Sequence, residues 1–162
     1  AFVRAVGGII PIPTRHAPGA VAVHLEAAAR ALEAGTVFCL FPETGPASEP
    51  GRIRRLGGGV AYIALRSGAP IVPIAIGGND ELFIGRRIVV RVLSPLDPRE
   101  LAGLPPGAPA PAPGSPEERD AAHRLLAALA EAVAEPVAAA HRAAAPAPGT
   151  PKRGRRLTTI FR

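Results

Sequence analysis

One carboxylate in this sequence stands where chemistry could be done. Glu43 follows an apolar run over residues 36–41 and sits in the turn Phe41-Pro42-Glu43-Thr44-Gly45, beyond the carboxyl end of a predicted strand. Open parallel sheets bind their ligands at that end. A carboxylate there can accept hydrogen bonds from a substrate hydroxyl or from backbone donors, or orient an arginine. The plainer reading of a single glutamate after a proline is a solvated loop residue, so its neighbours decide. Gly57-Gly58-Gly59 opens a helical segment, and glycines before a helix can let an anion reach backbone N–H groups. The run has no Gly-Lys-Ser/Thr of a phosphate-binding loop, and Asp80 follows the next strand instead of ending it. Close packing of helix on sheet therefore competes with ligand contact. His16, His24, His123 and His141 form no metal-ligand cluster with the acidic residues, and Cys39, the sole cysteine, lies in the apolar run, where a thiol packs as a small hydrophobe.

The elements that would carry these residues follow from periodicity. Residues 6–12 read as a short strand ended by Pro11 and Pro13. Val21, Leu25, Ala28, Ala29 and Leu32 recur at helical spacing, with Glu26, Arg30 and Glu33 opposite and Gly35 as the stop. Residues 36–41 are too short for a helix and apolar throughout, as in a strand covered on both faces. The same grammar repeats: helix over 60–66, Gly68, apolar run 71–76, then a further strand over 88–93. Alternating strands and helices imply an α/β fold, a mainly parallel sheet flanked by helices, plus a C-terminal helix and tail. Residues 1–102 form this body, 103–115 a Pro/Ala linker, 116–142 an amphipathic helix, and 143–162 a Pro/Ala-rich basic tail expected to be disordered. Ser115-Pro116-Glu117-Glu118 is a capping box with proline at the first helical position. The helix carries the stripe Ala122, Leu125, Leu126, Leu129 and Val133, and Pro136 is expected to kink or end it.

The string Phe41-Pro42-Glu43-Thr44-Gly45, followed by GRIRRLGGGVAYIALRSGAPIVPIAI over 51–76, resembles the latter half of the lysophospholipid (1-acylglycerol-3-phosphate) acyltransferases. Those proteins carry a Phe-Pro-Glu-Gly-Thr block, a glycine-started helix downstream and a Val-Pro-bearing strand. Here the helix opens at Gly59, and Ile71-Val72-Pro73-Ile74 corresponds to the strand. Upstream, Gly8-Ile9-Ile10-Pro11-Ile12 with Arg15 resembles the family's Gly-to-Arg block. The resemblance covers residues 6–78 and implies a glycerolipid-acyltransferase-like fold. It also implies a substrate-binding set of Arg15, Glu43, Thr44 and Gly45, with Arg15 on the acceptor phosphate, a task suited to a planar guanidinium. Three departures bear on that set. Thr44-Gly45 reverses the usual Gly-Thr order, Pro46 replaces a common arginine, and Arg15 lies one residue farther from Gly8 than usual. Arg52, Arg54 or Arg55 are the candidates to replace the lost basic group.

The resemblance further implies transfer of an acyl group from an acyl thioester, acyl-CoA or acyl-carrier protein, to the hydroxyl of a lysophosphatidate-like acceptor in bacterial phospholipid synthesis, with no cofactor. In the family, His-x-x-x-x-Asp supplies the general base. The residues that answer to Asp after His16, His24, His123 and His141 are Val21, Ala29, Ala128 and Pro146. No catalytic residue is thus expected in this chain. It is expected to be inert alone, and the dyad, which lies N-terminal to the Gly-to-Arg block in the family, is expected upstream of Ala1. A non-catalytic lipid- or anion-binding module of the same fold is the alternative.

Composition narrows the classes. The core must come from Ala, Val, Ile and Leu, since Trp and Met are absent and aromatics make up 4% of the chain. No run approaches the ~20 apolar residues that span a bilayer, and one cysteine permits no internal disulfide, as suits a reducing cytosol. The net charge of +6 is concentrated in Lys152, Arg153, Arg155, Arg156 and Arg162. A solubilising terminus is the plain reading of such a run. The functional one is attraction to an anionic membrane surface, ~1 kcal/mol per cation, which would make the protein cytoplasmic and peripheral to the inner face of the cell membrane. Nucleic acid is not an expected partner, because aromatics for base stacking are almost missing.

Overall fold

The computed structural model describes residues 20–45, 49–80 and 86–146. The expected first strand, Arg15 and the basic tail from 147 lie outside them. Helix α1 spans Ala20–Glu33 and α2 spans Gly58–Ser67; strand β1 is Ile74–Gly77 and β2 is Val89–Val92; α3 is the short helix Pro98–Leu101 and α4 is Pro116–Ala144.

Gly35 ends α1 as the periodicity predicts. It adopts a left-handed φ of 83°, with Gly35 N–H donating to Leu32 O and Thr36 N–H to Ala31 O, the paired bonds of a Schellman cap. Ala28 and Ala29 are buried, and α1 lies on α2 with Leu25 against Gly59. Across this contact Tyr62 OH donates to Glu26 Oε2 at 3.1 Å, and Arg66 Nη2 reaches the same oxygen at 3.3 Å.

The core joins α2 to α4. Val60, Ala61, Ala64 and Leu65 of α2 cluster with Leu56, Ala102 and with Ala121, Leu125 and Leu129 of α4, while Ala122, Leu126 and Val133 pack at its margin. The stripe read from the sequence thus faces the core. Ser115 Oγ accepts from Glu118 N–H and Glu118 Oε2 from Gly114 N–H, a reciprocal cap shifted by one residue from the usual partner. The helix does not end at Pro136: α4 continues through it to Ala144. Beyond the proline, Ala140 and Ala144 are buried against Gly77 and Gly78, so packing on β1 holds the turns that a free helix would lose there.

The sheet departs from the mainly parallel one expected. Among the described residues it has two strands, paired antiparallel with Ile74 opposite Val92 and Gly77 opposite Val89. The connection between β1 and β2 contains no described helix, whereas a parallel return is usually made through one. Pro73 limits β1 at its start, having no N–H to give, yet its carbonyl accepts from Leu93 and the pairing extends to Ile71 and Leu96. Residues 36–41 form no ladder among the described residues, and Val37 and Phe41 are 95% and 84% exposed. A strand needs a neighbour, and the predicted one, residues 6–12, lies outside the described region. Cys39 is likewise exposed, not packed as a hydrophobe.

Two outcomes test this packing. Leu125 is fully buried, so Leu125→Ala costs ~2–5 kcal/mol in urea unfolding. A Cβ on Gly77 would overlap the Ala140 backbone carbonyl, so Gly77→Ala destabilises by ~3 kcal/mol or more, the upper end of overpacking costs. The Glu26 clamp adds a pH dependence. The Tyr62 hydroxyl, helped by Arg66, holds the Glu26 carboxyl below its ordinary range against some desolvation. Its stabilisation is therefore complete above the unfolded pKa, ~4.3, and is lost as pH falls through the lower folded value. Urea midpoints measured from pH 6 to pH 3 should fall less steeply in Glu26→Gln than in the parent.

Candidate functional site

The Phe-Pro-Glu-Thr-Gly block does not end free in solvent. It pairs with the segment leading into α2: Gly57 N–H donates to Pro42 O at 2.7 Å, and Thr44 N–H and Oγ1 both donate to Arg55 O at 3.2 and 3.0 Å. Glu43 and Leu56 form an antiparallel bridge between these bonds. Leu56 is part of the core, so the pairing ties the turn to the helical body.

Within that frame, Glu43 Oε2 accepts from Arg54 N–H at 3.1 Å. The side chain is exposed but held, with one oxygen engaged on the backbone; a carboxylate has acceptor capacity left on the other. Gly45 sits at φ 98° with its N–H on Glu43 O at 3.0 Å, a conformation that disfavours any residue with a Cβ. Arg54 Nη1 lies 3.4 Å from Thr44 O and would sit 3.0 Å from a Cβ on Gly45. The glycine thus leaves room for the guanidinium to lie across the turn.

Of the predicted substrate set, Glu43, Thr44 and Gly45 come together and Arg15 lies outside the described residues. Among the replacement cations, Arg52 is drawn to Glu49 at 2.9 Å on the open surface. Arg54 and Arg55 instead border a cleft of about 490 Å³, and its opposite wall comes from α4: Arg119, Ala122, His123, Leu126, Ala127 and Ala130. Sequence reasoning missed Arg119 and His123. The available signal was their spacing, since 119, 123, 126, 127 and 130 follow one another by three or four residues or adjoin, which puts them on one side of a helix. The cleft lining contains no carboxylate, and among the described residues no ion pair engages Arg54, Arg55 or Arg119.

The Gly57-Gly58-Gly59 run serves packing and approach together. Gly59 meets Leu25, Gly57 lies against Pro42 O and Thr44 Cγ2, and Gly58 lines the cleft. No group of three His, Cys, Asp or Glu side chains among the described residues could hold a metal ion, and no described helix is long and apolar enough to cross a membrane.

Residues 2–77 match the protein-family model described as Acyltransferase. That span includes Arg15, the Glu43 turn, Arg54, Arg55, α2 and β1, and stops before β2, α3 and α4. No curated protein and no solved structure gives a match.

The Glu43 contact has a direct consequence in solution. Glu43→Ala removes the acceptor for Arg54 N–H, so that amide exchanges with deuterium at least ~10-fold faster, as loss of a charge-assisted bond worth ~1.5 kcal/mol requires. The Leu125 amide, in the core helix, keeps its protection.

Proposed function

From the membership of residues 2–77 in the acyltransferase family, we propose that the protein takes part in acyl transfer to a glycerolipid and that the chain supplies the acceptor-holding half of that site. The reaction moves an acyl group from a thioester, acyl-CoA or acyl-carrier protein, to the free hydroxyl of a lysophosphatidate-like acceptor. The acceptor oxygen attacks the thioester carbonyl, the C–S bond breaks, the hydroxyl proton passes to a general base, and the thiolate leaves and is protonated.

The observation that carries this reading is the fixed carboxylate of Glu43. Its Oε2 is held by Arg54 N–H, so its remaining acceptor capacity is presented without a loss of side-chain freedom at binding. A glycerol hydroxyl is the partner suited to it; a phosphate is not, since two anions repel. The phosphate is left to guanidinium groups, Arg15 and those beside the turn, which bind it by paired N–H donors. The His-x-x-x-x-Asp sequence that would supply the base is absent from these 162 residues, and in this reading it is supplied from outside them. The acceptor is a membrane lipid, so we place the reaction at the anionic inner surface of the cell membrane, with the basic residues from 152 to 162 as an added attraction.

In the protein as encoded, Glu43→Ala should lower kcat/KM for acyl transfer from acyl-CoA or acyl-carrier protein to lysophosphatidate by ~10–100-fold, the range for a hydrogen bond to a charged group. An unchanged rate removes Glu43 from the site. The missing dyad favours a second reading, a non-catalytic lipid-binding module. Liposome binding with no acyl transfer by the protein as encoded would select it.

A further inference from the structure

The cleft between the Arg54-Arg55 segment and α4 belongs to both halves of the described structure, yet α4 lies outside the acyltransferase match. We propose that α4 completes the lipid site: Arg119 and His123 join Arg54 and Arg55 to hold the phosphate monoester of a single-chain lipid, whose alkyl chain lies along Leu126 and Ala127. The proposal deepens the acceptor reading above and rests on it for the lipid's identity, though not for the cleft's chemistry.

The lining argues for this occupant. Three guanidiniums with no carboxylate among them form a uniformly cationic rim, and a phosphate monoester, carrying about −1.5 to −2 charges at neutral pH, is the small dianion they would collect. Arginine suits it because its planar fork binds phosphate oxygens bidentately. The rim is one-sided, however. Toward the middle of α4 the wall turns to Ala122, Leu126, Ala127 and Ala130, a strip with nothing to offer a free inorganic anion. Polar rim and apolar strip in one cleft of about 490 Å³ match an amphiphile, and the volume lies in the range of small-molecule sites. The helix N-terminus does not compete for the anion, because Ser115 and Glu118 already engage its cap. Glu118 and Asp120 flank Arg119 in sequence, with Glu117 one residue further away, and none of the three lines the cleft. On the other wall, Thr44 donates both its N–H and Oγ1 to Arg55 O. The cationic rim is therefore attached directly to the turn that carries Glu43, which brings a lipid phosphate and a glycerol hydroxyl within one site.

Calorimetric titration of the whole chain with dodecyl phosphate below its micellar concentration tests the inference, with inorganic phosphate and monododecanoylglycerol as the two comparison probes. Dodecyl phosphate should bind more tightly than either. Arg119→Ala should weaken it ~10-fold, consistent with loss of one charge-assisted contact. Ala127→Glu, which sets a carboxylate beside the chain and near the phosphate, should weaken it at least as much. Both residues are exposed on α4, and unchanged circular dichroism confirms that the variants fold. Unaltered affinity in both variants overturns the proposal, as does inorganic phosphate or the neutral lipid binding as tightly as dodecyl phosphate. Acyl transfer by the protein as encoded separates the two readings. A raised KM with kcat retained in Arg119→Ala supports both. Absent transfer in the parent, with dodecyl phosphate binding lost in the variants as expected, sustains the cleft and removes the acyltransferase reading.

Discussion

The structure depends on the burial of Leu56. This residue belongs to the apolar cluster that α2 and α4 share, and it is also the bridge partner of Glu43. One side chain thus couples the hydrophobic body to the polar turn. The neighbouring bonds, Gly57 N–H to Pro42 O and Thr44 to Arg55 O, then have fixed positions, because the strand-like segment they come from cannot shift without withdrawing Leu56 from the core. The burial of one leucine is worth ~1.5–3 kcal/mol, and the hydrogen bonds of an exposed turn gain their order from it. The carboxylate is positioned as a result, not by a partner charge but by a backbone amide that the core holds still.

This arrangement explains why the turn was legible in the sequence. The turn at Glu43, Thr44 and Gly45 was readable because its requirement is local, a proline after an apolar run, whereas the grouping of these residues as a substrate-binding set came only from the family resemblance. Helices α1, α2 and α4 were readable for the same local reason, through periodicity and through the stop at Gly35 and the cap at Ser115. The pairing of 42–44 with 54–57 was not, since no repeat or alternation in the Arg-rich segment marks it as an edge. Arg119 was not legible as part of the cleft wall because that placement depends on where α4 lands, and the Pro/Ala linker conceals that landing: it suggests a separate helix, whereas the helix closes the core.

The strands show the complementary limit. The apolar composition of 36–41, 71–76 and 88–93 announced extended chain but carried no information on partner or direction. The last two form an antiparallel pair, a direction that their apolar composition does not report. The first lacks a described neighbour, and Val37 and Phe41 consequently face solvent. Pro136 misled in another way, as a possible helix end. Its local cost, ~3 kcal/mol in a helix interior, is real, but Ala140 and Ala144 recover it through contacts far away in sequence.

The composition of the core has a consequence for how this protein can change. Nine of the fifteen buried apolar residues among those described are alanines. Alanine loses no rotamer freedom on burial, so the interior is assembled at little entropic cost and by close backbone approach, as where Ala140 meets Gly77. It also offers little to remove. Substitutional drift in such an interior is asymmetric: a shorter side chain is scarcely available, and nearly every alternative adds volume where two backbones already touch. The accessible sequence space therefore lies on the α4 face that borders the cleft and on the exposed turns, where the chain can vary without disturbing the fold.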